Sequence, residues 1–182
     1  MMNLQTKQKV IFLDRDGVIN IDNNYVYKIE DFEFKEKVFE ICRYLRDLGY
    51  EIIIVTNQSG IGRGYYTKDD FFKLTSWMIK EFEKNGIKIK DVFFCPHLPS
   101  DNCKCRKPKV GMIKQACSKY EIDLHNSWMI GDKISDMNLA INAGIKNKVF
   151  VKNSDKEIGE LKTLDIKNII SCFDELKQII KN

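Results

Sequence analysis

The sequence lacks the features that mark membrane, secreted and multidomain proteins. No stretch approaches the ~20 consecutive apolar residues that a membrane span needs. Residues 1–9 are polar and lack the apolar core of a secretion signal. Repeats, low-complexity tracts and linkers are also missing. We therefore expect a cytoplasmic protein in which residues 1–182 form one domain without a membrane partner.

A strong charge imbalance is absent as well. The formal net charge is only +4, and hydrophobic residues make up 43% of the 182 residues. This charge does not by itself predict a nucleic-acid partner, although it is compatible with an anionic small molecule as substrate. The apolar fraction is sufficient for a core and excludes disorder of the whole chain. No long apolar face demands a partner, so we expect a monomer.

Apolar runs alternate with segments of helical periodicity. The runs lie at residues 10–13, 51–55, 92–94, 128–130 and 149–151, and the helical patterns lie at 34–48, 67–86, 111–120, 135–143 and 173–180. This alternation predicts an α/β fold with a Rossmann-like parallel sheet and helices on both faces. The glycine-rich residues 60–64 are predicted to form a flexible loop. Cys42, Cys117 and Cys172 fall in helical patterns and are interpreted as core residues.

Two aspartates follow the first apolar run directly, in the stretch Asp14-Arg15-Asp16-Gly17. Ligands of open α/β sheets bind outside the carboxyl ends of the strands, and residues i and i+2 share a face. Paired carboxylates in that position suit Mg²⁺ and leave one oxygen free as a nucleophile. An Asp-x-Asp pattern alone is explained equally well by helix capping and turn formation.

Polar motifs also follow other predicted strands. Hydroxyl, amide and N–H groups that bind phosphate oxygens occur in residues 56–60, and Asp132 supplies a third carboxylate for Mg²⁺. Arg106 and Lys107 precede a helical stretch and suit a phosphate group. Each motif alone is also typical of ordinary turns or solvated surface. Their occurrence at successive strand ends favours a phosphate site.

Three thiols and one imidazole lie within eleven residues, at Cys95, His97, Cys103 and Cys105. This set is typical of a closed tetrahedral Zn²⁺ site, which has no open position for water, so we expect a structural zinc. Accidental clustering of reduced cysteines is the alternative. A redox pair is disfavoured, because Cys103-Lys104-Cys105 lacks the usual two-residue spacer.

Taken together, these motifs resemble the haloacid dehalogenase (HAD) superfamily of Mg²⁺-dependent phosphotransferases, in its histidinol-phosphatase-like branch. The matching stretches are residues 12–20, 55–61, 95–97, 105–108 and 130–133. The resemblance implies a HAD-like fold with a zinc-stabilised loop. Only residues 21–33 lie between the first motif and the next helical pattern, which is too few for a separate cap domain.

The resemblance also implies a role for each motif residue. Asp14 would be the nucleophile and Asp16 the general acid and base, with a proton kept on Asp16 by repulsion between the two carboxylates. Thr56 and Lys107 would hold the transferring phosphoryl group. Mg²⁺ would lie between Asp14, the Asp16 backbone carbonyl and Asp132, with Lys133 beside it, and zinc would be bound by Cys95, His97, Cys103 and Cys105. Substrate contacts are implied for Arg15, Asp22, Asn23, Asn24, Tyr25, Asn57, Gln58, Ser59 and Arg106.

Members of this branch act on small phosphate esters. Residues 17–20 and 25–28 resemble the heptose-specific members, which implies hydrolysis of the C7 phosphate of a heptose 1,7-bisphosphate, on the route to nucleotide-activated heptose for cell-surface polysaccharide. The short segment between His97 and Cys103 keeps hydrolysis of histidinol phosphate open. A zinc-stapled binding module without catalytic activity is a further alternative, which the basic residues 104–109 support and the complete set of motif residues disfavours.

Overall fold

The computed structural model describes residues 7–181. The prediction that residues 1–9 contain no secretion signal concerns a stretch of which residues 1–6 lie outside the described residues. Within residues 7–181, no helix combines the length and the apolar character needed to cross a bilayer.

Six parallel strands form one sheet. They are β1 (Val10–Leu13), β2 (Glu51–Asn57), β3 (Ile89–Cys95), β4 (Trp128–Gly131), β5 (Asn147–Val151) and β6 (Ile169–Ile170). Their spatial order is β3-β2-β1-β4-β5-β6, the order of doubly wound, Rossmann-like sheets. Because the winding direction reverses between β1 and β4, a crevice opens at the carboxyl ends of these two strands.

Helices cover both faces of the sheet. They are α1 (Val38–Asp47), α2 (Ser59–Gly62), α3 (Lys68–Lys84), α4 (Gly111–Lys119), α5 (Ile134–Ala143), α6 (Ile158–Thr163) and α7 (Leu176–Ile179). Successive strand residues point to opposite faces, so Ile11 packs in one core with α1, α3 and α7, and Phe12 packs in the other with α4, α5 and α6. The predicted α/β fold with helices on both faces is confirmed.

Several element boundaries differ from the prediction. Helix α1 begins at Val38 rather than at residue 34, because Phe34 forms a β-bridge with Asn20 and Lys37 adopts a left-handed backbone with a φ of 63°. The predicted loop at residues 60–64 begins with the last residues of the short helix α2. Elements α6 and β6 were not predicted, since six and two residues carry too little periodicity to be recognised.

The prediction for the cysteines is correct at Cys42, which is buried, and wrong at Cys117 and Cys172, which are exposed. Helix α4 buries a narrow stripe that contains Met112 and Ala116, and Cys117 lies outside it. Between β1 and α1, the described chain contains a 3₁₀ turn at Ile29–Asp31 and isolated β-bridges, so no cap domain is inserted at this point.

Helix α3 begins at a capping box. The Thr67 hydroxyl accepts a hydrogen bond from the Asp70 backbone N–H (3.1 Å), and the Asp70 carboxylate accepts one from the Thr67 backbone N–H (2.8 Å). Two amide groups that the helix itself leaves unpaired are thereby satisfied.

We expect Thr67→Ala to lower the free energy of unfolding by about 1 kcal/mol, because the first turn of α3 loses its side-chain acceptor. Urea denaturation followed by circular dichroism measures this loss. Thr67→Ser keeps the hydroxyl and serves as the control. Equal stability of the Ala and Ser variants would contradict the assigned cap.

Candidate active site

Three carboxylates meet at the crevice between β1 and β4. Asp14 follows β1, Asp132 follows β4, and Asp136 lies in the first turn of α5. Each contributes a carboxylate oxygen to a group whose members all lie within 4.8 Å of one another, and all three residues are buried. The convergence that the sequence predicted for Asp14 and Asp132 is therefore present.

Lys107 is buried between two of these carboxylates. Its Nζ lies 2.9 Å from Asp14 Oδ2 and 2.6 Å from Asp136 Oδ1, and it donates a hydrogen bond to the Val55 carbonyl (3.0 Å). Burial would lower the pKa of Lys107, but Asp136 and Asp14 outweigh this effect and raise it. Asp136 was missed as a site residue, although its position four residues after Asp132 could have signalled it.

Burial destabilises the charged forms of Asp14 and Asp132. It raises the pKa of Asp14 to about 6 and that of Asp132 to about 7, and repulsion between nearby carboxylates adds to both shifts. Asp132 Oδ1 is buried and has no hydrogen-bond partner among the described residues. A divalent cation would relieve both the unpaired oxygen and the crowded negative charge, so the donor set fits Mg²⁺.

Asp132 is held close to the loop after β1. Gly17 has a φ of 83°, and a Cβ at this position would collide with the Asp132 carboxylate. Asn153, after β5, donates hydrogen bonds to Asp132 Oδ2 (3.0 Å) and to the Gly17 carbonyl (3.0 Å). Lys35 Nζ in turn donates to Asn153 Oδ1 (2.6 Å). No local motif marked Asn153 or Lys35, because their partners lie far away in the sequence.

Asp16 has a different environment from Asp14. Arg15 Nη2 (2.9 Å) and Asn20 Nδ2 (3.1 Å) donate to its Oδ1, and Gln58 Nε2 donates to its Oδ2 (2.9 Å). Burial would raise the pKa of Asp16, but Arg15 and these hydrogen bonds outweigh burial and lower it. The environment of Asp16 in the free site therefore opposes the proton that charge repulsion was expected to keep on it.

A polar cavity of about 270 Å³ adjoins these groups. Seven of the predicted substrate-contact residues line it: Asp22, Asn24, Tyr25, Asn57, Gln58, Ser59 and Arg106. Asp16, Lys107 and Lys133 also line it, together with Tyr66 and Ser135, to which the sequence assigned no individual role.

Four predicted residues lie elsewhere or make other contacts. Arg15 is buried and donates to Asp16 and to the Val26 carbonyl (2.7 Å), and neither it nor Asn23 is among the residues that line the cavity. Thr56 accepts a hydrogen bond from Gln58 at its Oγ1 (2.8 Å). Lys133 forms an ion pair with Asp22 (3.0 Å) at the rim. This ion pair joins the loop after β1 to the loop after β4.

The predicted zinc ligands also converge. The Sγ atoms of Cys95, Cys103 and Cys105 lie 3.3–3.5 Å apart, and His97 Nδ1 lies 3.2 Å from Cys105 Sγ and 3.5 Å from Cys95 Sγ. Tetrahedral Zn–S bonds of about 2.3 Å require S···S separations of roughly 3.8 Å. The thiols lie slightly closer together than this, and the four donor atoms are clustered within reach of one metal ion.

The chain passes directly from this cluster into the active site. The Arg106 backbone N–H donates to Cys103 Sγ (3.4 Å), and the Lys107 backbone N–H donates to Asn57 Oδ1 (3.0 Å). The cluster therefore anchors the segment that delivers Lys107 to Asp14.

Comparison with known proteins identifies the family. A HAD-hydrolase-like family model matches residues 104–177. The chain is 50% identical, over 93% of its length and 98% of the relative's, to D-glycero-alpha-D-manno-heptose-1,7-bisphosphate 7-phosphatase of Campylobacter jejuni. It is 44% identical, over 94% and 99% of the two chains, to the beta-anomer enzyme of Helicobacter pylori strain J99. The chain belongs to the heptose-1,7-bisphosphate 7-phosphatase family.

A solved member of this family has the same fold. The D,D-heptose 1,7-bisphosphate phosphatase of B. bronchiseptica, crystallised with magnesium and phosphate, is 27% identical to this chain and superposes with a TM-score of 0.85. The superposition covers 95% of this chain and 100% of the other. The expected HAD-like fold and phosphatase family are confirmed.

The raised pKa values of Asp14 and Asp132 predict how metal-free stability depends on pH. Between about pH 4 and pH 7 the folded state binds more protons than the unfolded state, so these groups destabilise the fold increasingly as the pH rises. We expect Asp132→Asn to be more stable than wild type in buffer without added Mg²⁺, by a margin that grows from pH 5 to pH 8. Thermal unfolding at each pH measures this margin.

The exposed Asp69→Asn variant is the control, and its stability relative to wild type should not follow this trend. A stability difference between Asp132→Asn and wild type that stays constant between pH 5 and pH 8 would contradict the raised pKa of Asp132.

Proposed function

We propose that the protein hydrolyses the C7 phosphate of D-glycero-D-manno-heptose 1,7-bisphosphate, releasing heptose 1-phosphate and inorganic phosphate. The observation that carries the proposal is the buried Asp14–Lys107 pair at the end of β1, with Asp132 beside it. The high identity to heptose enzymes over almost the whole chain favours this substrate over histidinol phosphate. A binding module would have no use for these buried charges.

In the proposed mechanism, Asp14 attacks the phosphorus in line and the bond from phosphorus to the sugar oxygen breaks. The substrate enters as a phosphate monoanion and passes its proton to Asp16, which is ionised in the free site, and Asp16 delivers this proton to the leaving oxygen. Lys107 lies 2.9 Å from Asp14 and offsets the negative charge that accumulates near the nucleophile, and Thr56 donates its hydroxyl hydrogen to a phosphoryl oxygen. Mg²⁺, held by Asp14, Asp132 and the Asp16 backbone carbonyl, would supply further neutralisation of the phosphoryl charge.

In the second half-reaction, water attacks the aspartyl phosphate. Asp16, now ionised, takes the proton from this water, the Asp14–phosphorus bond breaks and phosphate leaves. The lowered pKa of Asp16 suits this half-reaction, because a carboxylate that is ionised at neutral pH acts as the base. The donors on Asp16 hold the carboxylate in place for both transfers.

Substrate selection belongs to the loops that line the cavity. Arg106 and Lys133 contribute cationic groups to the cavity and suit an anionic group on the substrate. Asp22, Asn24 and Asn57 supply acceptors and donors for sugar hydroxyls. A polar cavity formed by loops takes the place of a cap domain in this proposal.

We further propose that Cys95, His97, Cys103 and Cys105 bind a structural zinc ion. The closed donor set leaves no position for water, and the ligands stabilise the loop that precedes Arg106 and Lys107. Reduced thiols in such a site suit a cytoplasmic enzyme.

A substrate panel tests the function. With Mg²⁺ present, we expect the highest kcat/KM for one anomer of heptose 1,7-bisphosphate, at least about tenfold above histidinol phosphate, because buried polar groups reject a ligand that leaves them unpaired. Phosphate release measures the rates. Asp14→Asn should fold normally and show no turnover, since its amide is not a nucleophile. A preference for histidinol phosphate, or wild-type turnover by Asp14→Asn, would contradict the proposal.

Removal of zinc tests the structural site. We expect a zinc-selective chelator to lower the melting temperature strongly, because the loop depends on the metal for its fold, and to have a smaller effect on the Mg²⁺-dependent rate of the enzyme that stays folded. Cys105→Ser should reproduce the loss of stability. The exposed Cys117→Ser variant is the matched control and should behave as wild type. Rapid loss of activity without any loss of stability would instead indicate a catalytic zinc.

A further inference from the structure

Gln58 connects two side chains that act on the substrate in the proposed mechanism, Asp16 and Thr56. Its Nε2 donates one hydrogen bond to Asp16 Oδ2 (2.9 Å) and another to Thr56 Oγ1 (2.8 Å). Its Oε1 accepts a hydrogen bond from the Tyr66 hydroxyl (2.6 Å). Both amide hydrogens are therefore engaged within the protein, and the residue is only 2% exposed.

The chemistry of the partners defines the orientation of this amide. An ionised Asp16 carboxylate only accepts hydrogen bonds, so it must face the NH₂ group of Gln58. The carbonyl then faces Tyr66, which has to donate. Burial raises the pKa of Tyr66 to about 12, so the phenol keeps its proton at neutral pH. Thr56 accepts from the amide and retains its own hydrogen for the phosphoryl oxygen.

Tyr66 is itself held in place. Its ring stacks on Tyr27, with centroids 5.1 Å apart and an angle of 8° between the planes. Gly60 leaves the space that the ring occupies, because a Cβ at this position would overlap it. The stacking on Tyr27 and the space left by Gly60 thus fix the Tyr66 phenol in a position from which it donates to the Gln58 amide oxygen.

We propose that Gln58, oriented by Tyr66, is a positioning residue that aims Asp16 at the leaving oxygen and Thr56 at the phosphoryl group, rather than a contact to the sugar. The inference rests on the proposed phosphatase function. It differs from the substrate contact expected for Gln58, since its side-chain amide has no free hydrogen left for a ligand.

The dependence of the rate on the leaving group tests this positioning. A misplaced general acid slows the hydrolysis of phosphate esters with a poor alkoxide leaving group more than that of esters with a good phenolate leaving group. We expect Tyr66→Phe to lower kcat/KM for heptose 1,7-bisphosphate about fivefold to tenfold, as the loss of one buried hydrogen bond predicts, and to lower it less than about twofold for p-nitrophenyl phosphate. KM for the heptose should stay within about twofold of wild type.

In the Gln58→Leu variant, kcat/KM should fall roughly 100-fold for the heptose ester and about tenfold for the aryl ester, because Thr56 loses its hydrogen-bond partner as well. The double variant should be no slower than Gln58→Leu, since Tyr66 acts only through the amide. Tyr44→Phe removes a comparable phenol hydrogen bond to the Ile180 carbonyl outside the site and should leave both rates unchanged.

The outcomes separate the two proposals. If wild type hydrolyses neither ester, the proposed function fails. If wild type is active but kcat/KM of the variants falls equally for both esters, the positioning role is wrong and Gln58 is a purely structural residue. If the variants raise KM for the heptose at unchanged kcat, the positioning role is also wrong and Gln58 is a substrate contact. Additive losses in the double variant would also overturn it. Circular dichroism and melting temperatures of all four variants show whether each is folded.

Discussion

The buried contact of Lys107 with Asp14 and Asp136 is the constraint on which the active site depends. One ammonium group at 2.9 and 2.6 Å from two carboxylates joins the end of β1, the start of α5 and the chain that leaves the cysteine cluster. Its hydrogen bond to the Val55 carbonyl adds β2 to this junction. Removal of Lys107 would leave two buried carboxylates without their cation, which is among the costliest defects a core can contain.

The cysteine cluster and the carboxylate site are linked through the same segment. Cys105 belongs to the cluster, and Lys107, two residues later, belongs to the carboxylates. The proposed structural zinc would therefore fix the position of the Lys107 ammonium group. The proposed Mg²⁺ would instead neutralise carboxylates whose charged forms are destabilised by burial. The two metals would meet different physical needs, the folding of a loop and the neutralisation of crowded charge.

Asp14 and Asp16 are two residues apart, yet their environments shift their pKa values in opposite directions. Burial beside other carboxylates raises the pKa of Asp14, and Arg15 with two amide donors lowers that of Asp16. Divergent environments of this kind separate the tasks of paired carboxyl groups in many enzymes. Here Arg15 contributes most to the lowered pKa of Asp16, and Asn20 and Gln58 add to it. In our proposal, Tyr66 sets the orientation of Gln58.

The sequence by itself determined the alternation of strands and helices, the placement of Asp14, Thr56, Lys107 and Asp132 at strand ends or beside them, and the spacing of the cysteines. Each of these is a local pattern that periodicity, turn chemistry or motif spacing expresses. Only the tertiary structure decided that Asp136 would pair with Lys107, that Asn153 would hold Asp132, and that Gln58 and Tyr66 would address Asp16. These contacts join residues from separate elements of the chain, and their energies depend on burial, which no local pattern encodes.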